Sequence, residues 1–280
     1  MTAFGGRSVT DAGTNAVDNG PVVETAAATL ADGHYIIEAP GRLRSRQGLS
    51  VVGEIAGKVS YVNPQFVLGG RLAEGDVLFK INAADFEATV DSAKAAVASA
   101  EALLVRARLD NDRRRELVAT NAVSEASRDD AVANLASAEA SLLQAKAQLK
   151  RAEENLSRVT VRAPFPALVI SEDVSLDTYV APGQQLGLII DTRLGELVAG
   201  LAPSEAAAVA QMLKRSAGKK MIATARPNEG SVGSGSLTGV IDQFSPTIDE
   251  TSRSALVVAV FPEAFSEENT GQIFANDFMT

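Results

Sequence analysis

RRRELVATNAVSEASRDDA, residues 113–131, decides how this 280-residue chain folds, because it is a polar break between two long Ala/Leu-rich runs. Upstream of it, Phe86, Val90, Ala93, Val97, Ala100, Leu104 and Ala107 recur in steps of four and three. Downstream the same steps resume at Ala131, Leu135, Ala138, Leu142, Ala145, Leu149, Ala152 and Leu156. That spacing is the seam of a coiled coil. No proline lies between Pro64 and Pro164 and no glycine between Gly75 and Gly183, so neither helix breaker interrupts the runs. Two helices of roughly 35 residues, each about 50 Å long, are predicted. Asn82 can cap the first, with Asp85 at its third position. Ser124 can cap the second, with Glu125, Asp129 and Asp130 near its positive end. Only a few residues around Thr120–Val123 join them, which forces an antiparallel pair. Alanine at alternate seam positions lets the backbones approach. The alternative, two helices of a globular bundle, needs a wider apolar face than this seam provides.

The flanks change character. VVGEIAGKVSYVNPQFVLGGRLAEGDVLFKIN (51–82) and VTVRAPFPALVISEDVSLDTYVAPGQQLGLII (159–190) alternate apolar residues with Gly, Pro and Asn turns and read as short strands. They also resemble each other: LAEGDVLFKI aligns with VAPGQQLGLI, which places Gly75 and Gly183 at one turn. This is one β unit repeated and interrupted by the helices. Two such halves, each burying one face, are expected to close into a sandwich from which the hairpin leaves as an insertion. HYIIEAPGRL (34–43) reads as a strand before the sandwich. LGELVAGLA, TARPNEG, GSLTGVIDQF and SALVVAVFPE supply strands after it, and PSEAAAVAQMLKR, with Pro203 in first position, reads as a short helix. Five or six short strands and a helix suggest a small barrel built from both sides of the sandwich.

Composition excludes several functions. The net charge is -9, and the arginines at 113–115 are flanked by Asp110, Asp112 and Glu116, which argues against a nucleic-acid partner. There is no cysteine, hence no disulfide or thiolate chemistry, and the compartment stays open. No run of about 18 apolar residues spans a membrane. Residues 1–30 read as a flexible segment without the apolar core of a signal peptide; in an exported protein the signal has been removed. The one histidine, His34, has no neighbours that suggest a Ser-His-Asp site, and the His/Cys clusters of a zinc site are absent. The methionines, Met1, Met212, Met221 and Met279, are scattered. GSVGSG lacks the Lys-Ser/Thr of a phosphate loop and reads as a strand connection. No catalytic set, metal or cofactor is expected. A lipoyl-type carrier needs a modified lysine at the turn between the halves, where this chain has the hairpin instead; Lys58 and Lys80 lie within or beside strands. A purely structural coiled-coil scaffold leaves the repeat and the barrel unexplained.

The nested order of barrel strand, half sandwich, hairpin, half sandwich and rest of barrel resembles the periplasmic adaptors, or HlyD-like membrane fusion proteins, of tripartite efflux pumps. GKVSYV with GGRLAEGDVLFKIN is similar to the family's first lipoyl-like half, NLSRVTVRAPFPALV to the start of its second, and GVIDQFSPTIDETSRSALVVAV to a barrel segment. The resemblance covers roughly residues 34–280 and implies an elongated multi-domain α+β fold: an antiparallel α-helical coiled-coil hairpin (83–158) inserted in a lipoyl-like β-sandwich (49–82 and 159–191), itself inserted in a small β-barrel (31–48 and 192–280). The family's membrane-proximal domain is expected to be absent from these residues. Where the family has glycine this chain has Ala167, so a different turn is expected there.

The resemblance also gives residues 113–124 a role. The family carries Arg, then Leu four residues later, then Ser seven beyond, at the hairpin tip, and these touch the helical tips of an outer-membrane channel. Arg113, Leu117 and Ser124 fit that spacing, and Thr120, Asn121, Ala122 and Val123 complete the implied contact. Arg113 is a five-donor fork for a partner's carboxylates or carbonyls, Leu117 an apolar anchor, and Ser124 a helix cap that can also meet the partner. The implied function is non-enzymatic. The adaptor would work in the periplasm, associated with the inner membrane in the full-length protein. It would link an inner-membrane transporter, favoured to be of the resistance–nodulation–division (RND) type, to the channel, as a hexamer or trimer of dimers. An ATP-driven transporter or type I secretion system is the alternative setting.

Overall fold

The computed structural model describes residues 36–119, 123–215, 221–228, 231–248 and 254–280. Tertiary contacts divide the chain into Met1–Ile37, of which only Ile36 and Ile37 are described, and Glu38–Thr280, which holds the described strands and helices. In chain order come strands β1 (Gly41–Ser45), β2 (Gly48–Val52), β3 (Gly57–Val62), β4 (Arg71–Leu72) and β5 (Val77–Ile81), then helices α1 (Ala84–Ala119) and α2 (Glu125–Ser157). Strands β6 (Thr160–Arg162), β7 (Ala167–Glu172), β8 (Tyr179–Val180), β9 (Gln185–Asp191) and β10 (Leu194–Leu201) precede helix α3 (Pro203–Arg215). Strands β11 (Ile222–Ala225), β12 (Leu237–Ile248) and β13 (Ala255–Pro262), a 3-10 turn at Glu267–Asn269, and β14 (Phe278–Met279) complete the chain.

The sandwich has two four-stranded sheets, ordered β2-β9-β7-β4 and β6-β5-β3-β8. Inward residues of both sheets form its core, among them Val59, Leu78, Phe79, Val169, Leu186 and Ile189, and Phe66 and Phe165 fill it from loops. The halves interleave rather than close face on face. Strands β2–β5 and β6–β9 each give two strands to each sheet, so neither half has a complete sheet alone. The repeat extends to the turns. Gly75 and Gly183 sit at φ of 86° and 81°, where a Cβ is strained. The Gly75 amide donates to the Ala163 carbonyl at 2.8 Å, and the Gly183 amide to that of Gly53 at 2.7 Å. Side chains close both turns the same way, Asp76 accepting from the Ala73 amide and Gln184 from the Ala181 amide. Ala167 is the first residue of β7, directly after the bend at 164–166, buried, opposite Leu72 on one side and Asp191 on the other.

The hairpin grows from this sandwich at a strand pair. β5 leads into α1 and β6 follows α2, and the two strands are hydrogen-bonded, which pins the base of the helices. Asn82 caps from just outside α1, its Oδ1 accepting from the Ala84 amide at 3.0 Å. Ion pairs Glu101–Lys146 and Arg108–Glu139 cross between the helices, rising in number on one as they fall on the other, as an antiparallel pair requires. Every seam residue named above is buried or half-buried, with Val90, Ala100, Leu104, Ala131, Ala145 and Ala152 innermost. The exposed ion pairs add little stability, and the seam carries the packing.

The barrel sheet runs β11-β12-β13-β10-β1-β14. Its two edges meet: Pro227 bridges Met279, and Arg226 and Thr280 exchange two backbone bonds of 2.8 Å just beyond β11 and β14. Leu43, Leu197, Phe261, Phe265 and Met279 fill the interior. The first strand starts later than 34–43 suggests. Described residues 36–40 are not strand, and Pro40, which has no N–H for the ladder, immediately precedes Gly41. His34 lies outside the described residues. Gly233 and Ser234, in the glycine-rich stretch, are tied to Asp277 and the Gln272 carbonyl, so this connection packs against the last turn.

Sandwich and barrel are joined by more than the two chain crossings. Arg71, on β4, donates to the carbonyls of Phe265 at 2.7 Å and Ser266 at 3.0 Å and to Thr270 Oγ1 at 2.9 Å. At the β9–β10 crossing, buried Asp191 is held by Arg193 through Nη2 at 2.7 Å and through the Arg193 amide at 2.9 Å. Burial pushes the Asp191 carboxyl up, but the Arg193 hydrogen bonds and charge outweigh it and hold it below its ordinary 3.8.

Candidate functional site

The hairpin ends where the Arg/Leu/Ser spacing places the tip. Arg113 and Leu117 stand four residues apart on the last turns of α1, on one helix face. Arg113 is exposed, and Leu117 keeps 37 % of its surface in solvent. Val123 is half-buried. Thr120, Asn121 and Ala122 lie outside the described residues. Ser124 is exposed with extended backbone (φ -77°, ψ 155°), and its Oγ accepts from the Ser127 amide at 3.3 Å, the bond of an N-cap. Glu125 follows in the first turn, where the helix dipole favours a negative charge. Arg128, close by, is held more firmly protonated by its hydrogen bond and charge contact with Asp129. The tip therefore offers a guanidinium, a leucine and a capping hydroxyl in solvent within a mixed-charge surround.

The seam itself runs on past Ala107 into the tip. Continuing the steps of four and three gives Asn111, Arg114 and Val118. Asn111 and Arg114 are polar, so hydrophobic periodicity passes over them, although the spacing alone reaches them. Asn111 is buried to 8 % exposure, and its Oδ1 has no hydrogen-bond partner among the described residues. Arg114 is half-buried. Its Nε donates to Asp110 Oδ2 at 3.0 Å, one turn back, and its Nη1 donates across the hairpin to Ser127 Oγ. The seam is thus interrupted by two polar positions, a carboxamide and a cross-helix guanidinium bridge, before the half-buried Val118.

The described residues contain no group of three or more His, Cys, Asp or Glu side chains able to hold a metal ion, and no helix long and apolar enough to cross a membrane. A polar cleft at the sandwich–barrel junction is lined by Arg71, Arg193 and the acidic residues Glu263, Glu267 and Glu268. Its two arginines are already engaged, Arg71 with the barrel carbonyls and Arg193 with Asp191 and Glu74.

Comparison with known proteins agrees with this architecture. Residues 81–158 match the alpha-helical hairpin domain of RND membrane fusion proteins. Multidrug resistance protein MdtE of Escherichia coli K12 is 27% identical over 245 residues, 85% of this chain and 63% of that protein. Multidrug resistance protein MdtA of Proteus mirabilis is 26% identical over 261 residues, 92% of this chain and 61% of that protein. The chain therefore spans less than two thirds of the length of these relatives. The crystal structure of MacA from Actinobacillus actinomycetemcomitans superposes with a TM-score of 0.61 at 19% identity, covering 86% of this chain and 75% of that one. The hairpin is thus similar to those of RND membrane fusion proteins, and nested barrel, interleaved sandwich and hairpin share the fold of MacA.

Proposed function

We propose that this protein is the periplasmic adaptor of an RND-type multidrug efflux pump, non-enzymatic, joining an inner-membrane transporter to an outer-membrane channel. The observation that carries the proposal is the hairpin: two helices of 36 and 33 residues on a hydrogen-bonded strand base, ending in an exposed Arg113, Leu117 and Ser124. The match of this segment to the hairpins of RND membrane fusion proteins, and the multidrug resistance proteins among its relatives, support the setting.

In this reading residues 83–158 reach the channel, with 113–124 as the contact. The sandwich (49–82 and 159–191) is the base from which the hairpin projects, and the barrel (31–48 and 192–280) faces the transporter. Several copies, six in a full ring, stand side by side so that their hairpins enclose the conduit. Each tip is small and polar, so one contact is weak and the ring supplies avidity. The transporter supplies the energy; the adaptor seals and couples.

The test is a photo-reactive residue at Arg113 of the full-length protein in its native envelope, followed by mass spectrometry of the adduct. The expected adduct is an outer-membrane channel, lost when the photo-reactive residue is moved to Ala98 on the shaft. Adducts only with other copies of the protein, under conditions where efflux runs, would overturn the tip contact.

A further inference from the structure

We infer that Arg114 and Ser127 are the positioning pair of the docking tip: their cross-helix hydrogen bond sets where Arg113 and Leu117 stand relative to Ser124. The inference rests on the tip contact proposed above and names what orients it. The three contact residues do not share an element. Arg113 and Leu117 belong to the end of α1 and Ser124 to the start of α2, so their mutual geometry depends on what holds the two helix ends together.

Along the shaft that is apolar packing, with Leu104 and Ala145 both buried. Toward the tip the packing thins. The seam positions become Asn111 and Arg114 before the half-buried Val118, and the fully buried apolar residue of α2 nearest the tip is Ala131. An alanine and a carboxamide with an unpartnered oxygen give little cohesion. Beyond them, the cross-helix hydrogen bond described between these ends is Arg114 Nη1 to Ser127 Oγ.

Both partners are prepared for it. Asp110 takes the Nε of Arg114 at 3.0 Å and so fixes the plane of the guanidinium, leaving Nη1 directed at the other helix. Ser127 is the residue whose amide the Ser124 cap accepts, so the residue held by Arg114 is also hydrogen-bonded to the contact serine. A pull on Ser127 Oγ is therefore transmitted to Ser124 within one turn. Lysine cannot replace Arg114 here, because a single ammonium lacks the planar fork that meets Asp110 and Ser127 at once. Threonine can replace Ser127, since it keeps the hydroxyl.

The distance measurements use the 280-residue chain, which has no cysteine, so labels can be placed freely. Spin labels at Glu116 and Ala126 read the tip and labels at Ala98 and Gln148 read the shaft, all exposed positions. Expected is a narrow tip distance in the parent that broadens in Arg114→Met, Arg114→Lys and Ser127→Ala, returns in Ser127→Thr, and leaves the shaft distance unchanged throughout. Amide exchange over 111–131 should speed up about tenfold in Ser127→Ala, the scale of one charge-assisted hydrogen bond. Channel adducts from position 113 should fall in Ser127→Ala and recover in Ser127→Thr, which a mere loss of helix stability would not produce. An unbroadened tip distance in both Arg114→Met and Ser127→Ala overturns the positioning role. A broadened tip distance in those variants, with no channel adduct even from the parent, keeps the positioning pair and removes the docking reading.

Discussion

Replacing Asn111 by leucine is expected to stabilise the outer part of the hairpin, although Asn111 is buried in its seam. Asn111 is 8 % exposed, and its Oδ1 has no partner among the described residues. An unsatisfied buried oxygen costs about 1–3 kcal/mol. Leucine removes that cost and favours the helix by a few tenths of a kcal/mol more than asparagine does. Its extra volume opposes this. The nearest buried α2 residue along the seam is Ala131, a small side chain that leaves space, so the overpacking cost should stay near the lower end of about 1–3 kcal/mol. The net expectation is about 1–2 kcal/mol of local stabilisation, close to a tenfold slowing of amide exchange. Native-state hydrogen exchange at residues 107–115 and 128–135 reads it directly and avoids assuming two-state unfolding of a multidomain chain. Asn111→Ala is the control, removing the oxygen without adding volume, and should be neutral or mildly stabilising. Faster exchange in both variants would refute the reasoning, because it would mean that the carboxamide contributes a bond that the packing needs.

Arg113→Asp and Leu117→Asp should each lower efflux by cells carrying the variant as sole adaptor while leaving far-ultraviolet circular dichroism unchanged; undiminished drug tolerance in both would count against tip docking. Arg71→Ala removes donors from two carbonyls and a hydroxyl, and should loosen the sandwich–barrel junction by about 3 kcal/mol; proteolysis within 263–274 that stays as slow as in the parent would exclude this clamp. Asp191 has a folded pKa below its ordinary value, so its stabilisation is complete above that value and is lost as pH falls through the lowered one. Denaturant midpoints measured down the acid limb should show this loss in the parent, and Asp191→Asn should be weaker at neutral pH and flatter in acid.

The hairpin is legible because a coiled coil is written locally: each seam residue is three or four places from the next, and the same count reaches Asn111 and Arg114. The Ser124 cap, the first-position Pro203 and the glycines at 75 and 183 are legible for the same reason, since each acts on backbone within a few residues. β1 starts later than the apolar alternation through Ile36 and Ile37 suggests, because Pro40 lacks the N–H that a ladder needs. Interleaving of the sandwich halves cannot be read from the repeat, since two similar strand sets can pair within themselves or with each other, and only the pairing of β5 with β6, β4 with β7, β2 with β9 and β3 with β8 distinguishes the two. The partners of polar side chains are the least accessible. Arg71 reaches carbonyls nearly two hundred positions along the chain, and Arg114 finds Ser127 only because the two helices fold back on each other. Periodicity and turn chemistry determined which segments become helix, strand and cap, for those depend on neighbours in the chain. Which charged group meets which was decided by the tertiary structure, because a long flexible side chain takes whatever acceptor the packing of distant backbone brings within reach.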